Sequence, residues 1–190
     1  ADMNYFAAEH SATNVYPTAA VYDTKGREVC SLMIDAAATT EPKYQRQYAT
    51  FTTERGDELH YYLILPEKFD AAKQYPVLMT QYSGPGSQEI ANRYTTDWEE
   101  TLARNGYIIA CCDGRGTGFR GEEFKKCTYA DLGRKEYEDQ LSFARYLATL
   151  PYIDKERIGI YGWSYGGFMT LNCALHGDGL FKMAIAVAPV

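Results

Sequence analysis

Ser164 is the residue with the clearest chemical potential in this chain. It stands in Gly162-Trp163-Ser164-Tyr165-Gly166-Gly167, after the apolar run Ile158-Gly159-Ile160-Tyr161 and before the helix-like run Phe168 to Leu175. Strand, sharp turn and helix, with serine at the turn, is the pattern of a nucleophile elbow. The glycines have a physical reason. A nucleophile at the tip of a tight turn sits in strained backbone, and Gly162 and Gly166, two residues to either side, are where side chains would collide. The N-terminus of the following helix adds a positive dipole end beside a developing oxyanion.

A serine nucleophile needs a base, and the base needs an orienting carboxylate. In elbow-type sites these follow the serine in the order Ser, Asp, His. Here only 26 residues follow Ser164, and Asp178 is the one acid among them. The three histidines are His10, His60 and His176. His10 lies in an N-terminal stretch unlike the rest, and His60 falls in a hairpin strand far from the elbow. His176 would lie about 18 Å up a helix from the serine, at 1.5 Å per residue. None suits the role of base. The expectation is that the chain is truncated, with the triad Asp and His outside it, and is inactive alone.

Around the elbow the pattern is alternating strands and helices. Tyr48–Thr53 and Glu58–Leu65 flank Glu54-Arg55-Gly56-Asp57 as a hairpin. Short apolar strands are expected at Pro76–Tyr82, Tyr107–Cys112, Ile158–Tyr161 and Met183–Ala188. Helices are expected at Trp98–Arg104, ended by Asn105-Gly106, and at Arg134–Leu150, stopped by Pro151. Alternation of this kind means an α/β fold with a mostly parallel sheet and flanking helices. With the leading hairpin and the elbow serine, it points to an incomplete α/β-hydrolase fold. Residues 1–40 form a separate region. Ala19–Tyr22 and Arg27–Leu32 around Asp23-Thr24-Lys25-Gly26 read as a second hairpin, too small to stand alone and so part of a larger β structure. Residues 33–44 read as a linker, and residues 41–190 as the main domain.

Composition excludes several classes. The 190 residues are 46% hydrophobic and 23% charged, and they carry a net charge of −6. That balance suits a globular domain and gives no basic surface for nucleic acid. No apolar run is long enough for a membrane span, and no signal peptide is expected at Ala1. The five cysteines, Cys30, Cys111, Cys112, Cys127 and Cys173, form no C-x-x-C pair, so no metal site is expected. They read mainly as small buried hydrophobes, with Cys111 and Cys112 on opposite faces of a strand. Tyrosine is abundant, at 17 residues, and suits clefts and interfaces. Gly114-x-Gly116-x-Gly118 departs from a dinucleotide fingerprint in its third glycine and lacks an immediate helix. No cofactor is expected. A turn pinned by an Arg115 ion pair is the better reading, and Glu136, Glu138 and Asp139 read as a solvated helix face.

Four collinear segments resemble the prolyl oligopeptidase family, in particular its dipeptidyl peptidase IV branch. They are Gln81-Tyr82-Ser83-Gly84-Pro85-Gly86-Ser87-Gln88, Asp113-Gly114-Arg115-Gly116-Thr117-Gly118, the elbow, and Phe181 to Val190. The resemblance covers residues 45–190 well and the first 40 loosely. It implies that residues 1–40 close a β-propeller and that the rest begins an α/β-hydrolase peptidase domain. It implies Ser164 as the acylated nucleophile, with the Tyr165 N–H and the Tyr82 hydroxyl as oxyanion donors. Tyr165 and Val190 would line a small pocket for the penultimate residue, with Trp163 a weaker candidate that reads more as elbow packing. The implied substrates are peptides with Pro or Ala at the penultimate position. An acylaminoacyl peptidase or oligopeptidase, a carboxylesterase, or a non-catalytic interaction fragment are the alternatives. The tyrosine at the oxyanion position, with no His-Gly-Gly motif, counts against the esterase. The resemblance also admits a homodimer and favours a periplasmic or extracellular location over a cytoplasmic one.

Overall fold

A computed structural model describes residues 3–13, 15–32, 44, 46–95 and 97–190. The chain divides into two compact units, Ala1–Gln45 with Asn92–Asp97, and Arg46–Ala91 with Trp98–Val190.

The smaller unit is a three-stranded antiparallel sheet of β1 (Tyr5–Ala12), β2 (Val15–Asp23) and β3 (Glu28–Ser31), in that order. The β2–β3 turn forms because Asp23 satisfies it locally. Its carboxylate accepts the Lys25 and Arg27 amides at 2.9 and 3.0 Å, and its carbonyl accepts the Gly26 amide at 2.9 Å. The sequence shows this hairpin but not β1. Neither β1 nor β3 buries a side chain, so neither carries an alternating apolar stripe, and β3 is seen only through the turn before it. Phe6 stacks on Tyr22 across the β1–β2 pair, with ring centroids 5.6 Å apart. The linker expected at 33–44 lies outside the described residues except for Tyr44.

The larger unit is a six-stranded sheet. Its strands are β4 (Arg46–Thr52), β5 (Glu58–Ile64), β6 (Tyr75–Thr80), β7 (Ile108–Asp113), β8 (Ile153–Trp163) and β9 (Met183–Val187). The order is β4-β5-β7-β6-β8-β9. The β4–β5 and β5–β7 pairs are antiparallel, and the remaining three pairs are parallel. Four helices join them: α1 (Trp98–Arg104), α2 (Glu122–Lys126), α3 (Arg134–Ala148) and α4 (Tyr165–His176). The short α2, one turn of five residues, is not visible in the sequence pattern, and β8 is longer than expected at both ends.

The strands sort their side chains by period two. Leu63, Val77, Met79, Ala110, Cys112, Ile158 and Ile160 pack with Phe143, Ala144 and Leu147 of α3 and Cys173 of α4. Tyr62, Leu78, Ile109 and Cys111 take the opposite face. There, buried Glu99 of α1 accepts hydrogen bonds from Arg46, the Tyr62 hydroxyl and the Thr80 hydroxyl at 3.0–3.2 Å. Cys111 and Cys112 are both buried, one on each face.

The loop after β7 is held by charge. Arg115 meets Asp139 through Nη2–Oδ1 at 2.6 Å and Nε at 3.0 Å, while its own amide donates to Asp139 Oδ2 at 2.7 Å. Burial alone would lower the Arg115 pKa, but the Asp139 carboxylate outweighs it and holds the guanidinium above its usual value. The solvated face expected for Glu136 and Asp139 is therefore corrected. Both are fully buried, because they continue the stripe of Gln140, Phe143, Ala144 and Leu147 that α3 turns inward. Glu138 is the more exposed of the three, and it still pairs with Arg55 at 2.9 Å.

Candidate active site

Ser164 links the end of β8 to the start of α4 and adopts φ 57°, ψ −118°. A non-glycine residue there is strained, at a cost of roughly 1–3 kcal/mol. The surroundings leave it no alternative. Its amide donates to the Val187 carbonyl of β9 at 2.9 Å, and its carbonyl accepts the Phe168 amide at 3.0 Å. A Cβ on Gly162 would collide with the Gly166 carbonyl oxygen and approach Gln81 Nε2 at 2.6 Å. One on Gly166 would collide with the Gln81 carbonyl oxygen. The two glycines let strand, turn and helix close on one another within four residues.

Tyr165 is the first residue of α4, where a backbone N–H has no intrahelical acceptor. That amide sits beside Ser164 at the positive end of the helix. The Tyr165 phenol turns away and donates to Glu136 Oε1 at 2.8 Å. Burial, reinforced by the Glu136 carboxyl, pushes its pKa well above the ordinary phenol value, so it stays a donor at all working pH.

Tyr82 follows the end of β6. Its neighbours Gln81 and Ser83 are buried, while its own ring is 37% exposed and lies 6.1 Å from the Tyr165 ring. Tyr82 is thus the exposed residue between two buried ones at the carboxyl end of the strands, where sites form in α/β sheets. A buried polar chain holds it in register with the elbow. Gln81 Nε2 donates to the Gly166 carbonyl at 2.7 Å and to Thr170 Oγ1 at 3.1 Å. Ser83 Oγ donates to Gln81 Oε1 at 2.9 Å, and Gln140 Nε2 donates to Ser83 Oγ at 3.1 Å and to the Cys112 carbonyl at 2.9 Å. The chain runs from α3 through the β6 terminus to the first turn of α4. Sequence reading missed the roles of Gln81, Ser83, Gln140 and Glu136, each of which bonds at least one group far away in sequence. The one local signal was Glu136 at the third position of its helix, where it accepts the Gly133 amide at 3.1 Å.

The structure therefore brings Tyr82, Ser164 and Tyr165 together. Trp163 is 58% exposed, which corrects the expectation that it packs the elbow. Val190, just past β9, is 76% exposed and stands outside this polar chain. The histidines are engaged elsewhere. His176 stacks on Tyr137 with centroids 4.8 Å apart, His10 meets the Thr18 hydroxyl, and His60 lies 3.9 Å from Glu58 on β5. Strands β7 and β6 separate β5 from β8. Among the described residues, no histidine is hydrogen-bonded to Ser164 and no group of three or more His, Cys, Asp or Glu is placed to hold a metal. No helix among them is long and apolar enough to cross a membrane.

A strained serine between a parallel strand and a helix, on a mixed sheet with helices on both faces, is the architecture of an α/β hydrolase. Residues 94–190 match the family model described as the prolyl oligopeptidase family. The chain is 47% identical over 131 residues to the prolyl endopeptidase FAP of Mus musculus, covering 68% of this chain and 17% of that protein. It is 46% identical over 146 residues to a probable dipeptidyl-aminopeptidase B of Podospora anserina, covering 75% of this chain and 16% of that one. The crystal structure of Porphyromonas gingivalis dipeptidyl peptidase 4 superposes with a TM-score of 0.94 at 43% identity, over 98% of this chain and 27% of that chain. The chain belongs to the prolyl oligopeptidase family. It spans about one sixth of the length of these curated relatives.

Proposed function

We propose that this chain carries the nucleophile and oxyanion hole of a serine peptidase that releases N-terminal dipeptides. Ser164 Oγ attacks the carbonyl of the penultimate residue. Its proton passes to a base and then to the leaving amine, and water later hydrolyses the acyl-enzyme. The Tyr165 amide and the Tyr82 hydroxyl donate to the oxyanion, a stabilisation worth roughly 10²–10³ in turnover per donor in comparable sites. The Tyr165 ring, Val190 and, more weakly, Trp163 border the pocket for a penultimate Pro or Ala. The base and its carboxylate lie outside these 190 residues, because the three histidines here are engaged away from the serine. The sheet of β1, β2 and β3 belongs to a β-propeller. The single observation that carries the reading is Ser164, held at φ 57° at the head of α4, with the Tyr82 ring 6.1 Å from that of the adjacent Tyr165. The names of the relatives, two peptidases and an aminopeptidase, support peptide substrates.

One relative is named an endopeptidase, so a second reading is cleavage within a chain. The test uses the full-length protein that contains this sequence. Hydrolysis of a free-amino X-Pro chromogenic substrate is compared with hydrolysis of its N-blocked form. Cleavage of the free form alone is expected. Equal or faster cleavage of the blocked form transfers the assignment to an endopeptidase or acylaminoacyl peptidase.

A further inference from the structure

Glu136 is a buried acid that the proposed chemistry leaves without a role. It sits in the first turn of α3 with none of its surface exposed. Its two oxygens serve different elements. Oε2 accepts the Gly133 amide at 3.1 Å, and Oε1 accepts the Tyr165 hydroxyl at 2.8 Å. The first bond fixes the carboxyl to its own helix, and the second reaches 29 residues along the chain to α4. The Tyr165 ring is then held at both ends: by the start of α4 at its Cα, and by Glu136 at its hydroxyl. Tyr82 lies against it at 6.1 Å and Phe168 meets it edge-on at 5.6 Å. A tyrosine has only two rotatable side-chain bonds, so anchoring its tip removes most of its remaining freedom.

We propose that Glu136 is a positioning residue that fixes the Tyr165 ring and thereby sets the width of the pocket beside Ser164. The inference rests on the reading of Tyr165 as a wall of that pocket. A carboxyl suits the task because two donors converge on it and each of its oxygens can accept one. Glutamine can keep the geometry, with Oε1 on the Gly133 amide and Nε2 donating to the phenol oxygen. Alanine cannot. Without the anchor the ring is free to swing, and the pocket loses its discrimination between a rigid Pro and a small Ala.

The test uses the full-length protein and the ratio of kcat/KM for free-amino X-Pro and X-Ala substrates. Loss of folded protein lowers both rates together and leaves this ratio unchanged. Glu136→Ala and Tyr165→Phe are each expected to shift the ratio about tenfold, the scale of one hydrogen bond. The double variant is expected to shift it no further than either alone, and Glu136→Gln to recover it. A ratio unchanged in Tyr165→Phe overturns the inference even if Glu136→Ala does not fold, because that variant leaves the α3 cap intact. Multiplying effects in the double variant overturn it as well, since they mean that Glu136 does not act through Tyr165. Ser164→Ala is the control. Hydrolysis that survives it refutes the peptidase reading itself, whereas an unchanged ratio with Ser164-dependent hydrolysis refutes only the role of Glu136.

Discussion

At the scale of single residues, the elbow is legible because its constraints leave marks in residue type. Only glycine fits at 162 and 166, and a serine between them at φ 57° is strained. Ser164→Gly in the full-length protein is therefore expected to abolish turnover while raising stability by about 1 kcal/mol, since glycine accepts positive φ without a Cβ penalty. Thermal melts of the two proteins check this, and a lower melting temperature in the variant would show that the serine is unstrained. Tyr82 is placed by resemblance, and in the structure it is the exposed residue between buried Gln81 and Ser83. The role of Gln81 was not legible. Its partners, Gly166 and Thr170, lie 85 and 89 residues away, and an amide at a strand end carries no local signature of them.

At the scale of elements, the strands and longer helices of the larger unit were readable from periodicity, with boundaries displaced by a few residues. What failed was the meaning of a stripe. Positions 136, 139, 140, 143, 144 and 147 follow helical spacing, yet three of them are polar, so the stripe's first turn reads as solvated. Tertiary partners reverse that reading: Tyr165 for Glu136, Arg115 for Asp139, and the β6–β7 backbone region for Gln140. Arg115→Ala would strand the Asp139 charge inside the fold, and a loss of about 3 kcal/mol in denaturant unfolding is expected. A loss under 1 kcal/mol would mean that the pair is solvated. Gln81→Leu would leave the Gly166 carbonyl and Thr170 hydroxyl without this donor. It is expected to cost about 2 kcal/mol and to lower kcat by loosening the elbow against Tyr82. An unchanged kcat would separate the polar chain from the site.

At the scale of the whole molecule, the two units differ in how far they bury their residues, and the cysteines report that difference. Burial pushes the Cys173 thiol up to about 12, and Cys111 and Cys112 well above the usual thiol range. At pH 8 about one in 10⁴ Cys173 side chains would be thiolate, the reactive form. Iodoacetamide is expected to modify exposed Cys30 in the native protein and to reach Cys111, Cys112 and Cys173 only after unfolding. Native modification of the three at the rate of Cys30 would contradict the packing described for the sheet. The α/β organisation of the larger unit was legible because each βα alternation is local. The first strand of the smaller unit was not: β1 and β3 both leave every side chain unburied, but only β3 is marked by the Asp23-Thr24-Lys25-Gly26 turn before it.

Acylation at Ser164 is the step on which the proposed function turns. It is tested most directly by treating the full-length protein with a fluorophosphonate and mapping the adduct by mass spectrometry. Trypsin places Ser164 in the peptide from Ile158 to Lys182. One adduct is expected, on Ser164, lost in Ser164→Ala together with peptidase activity; with the base outside the chain, as proposed, the 190 residues alone are expected to label far more slowly. An adduct on another serine, or full activity in Ser164→Ala, would contradict that role for Ser164.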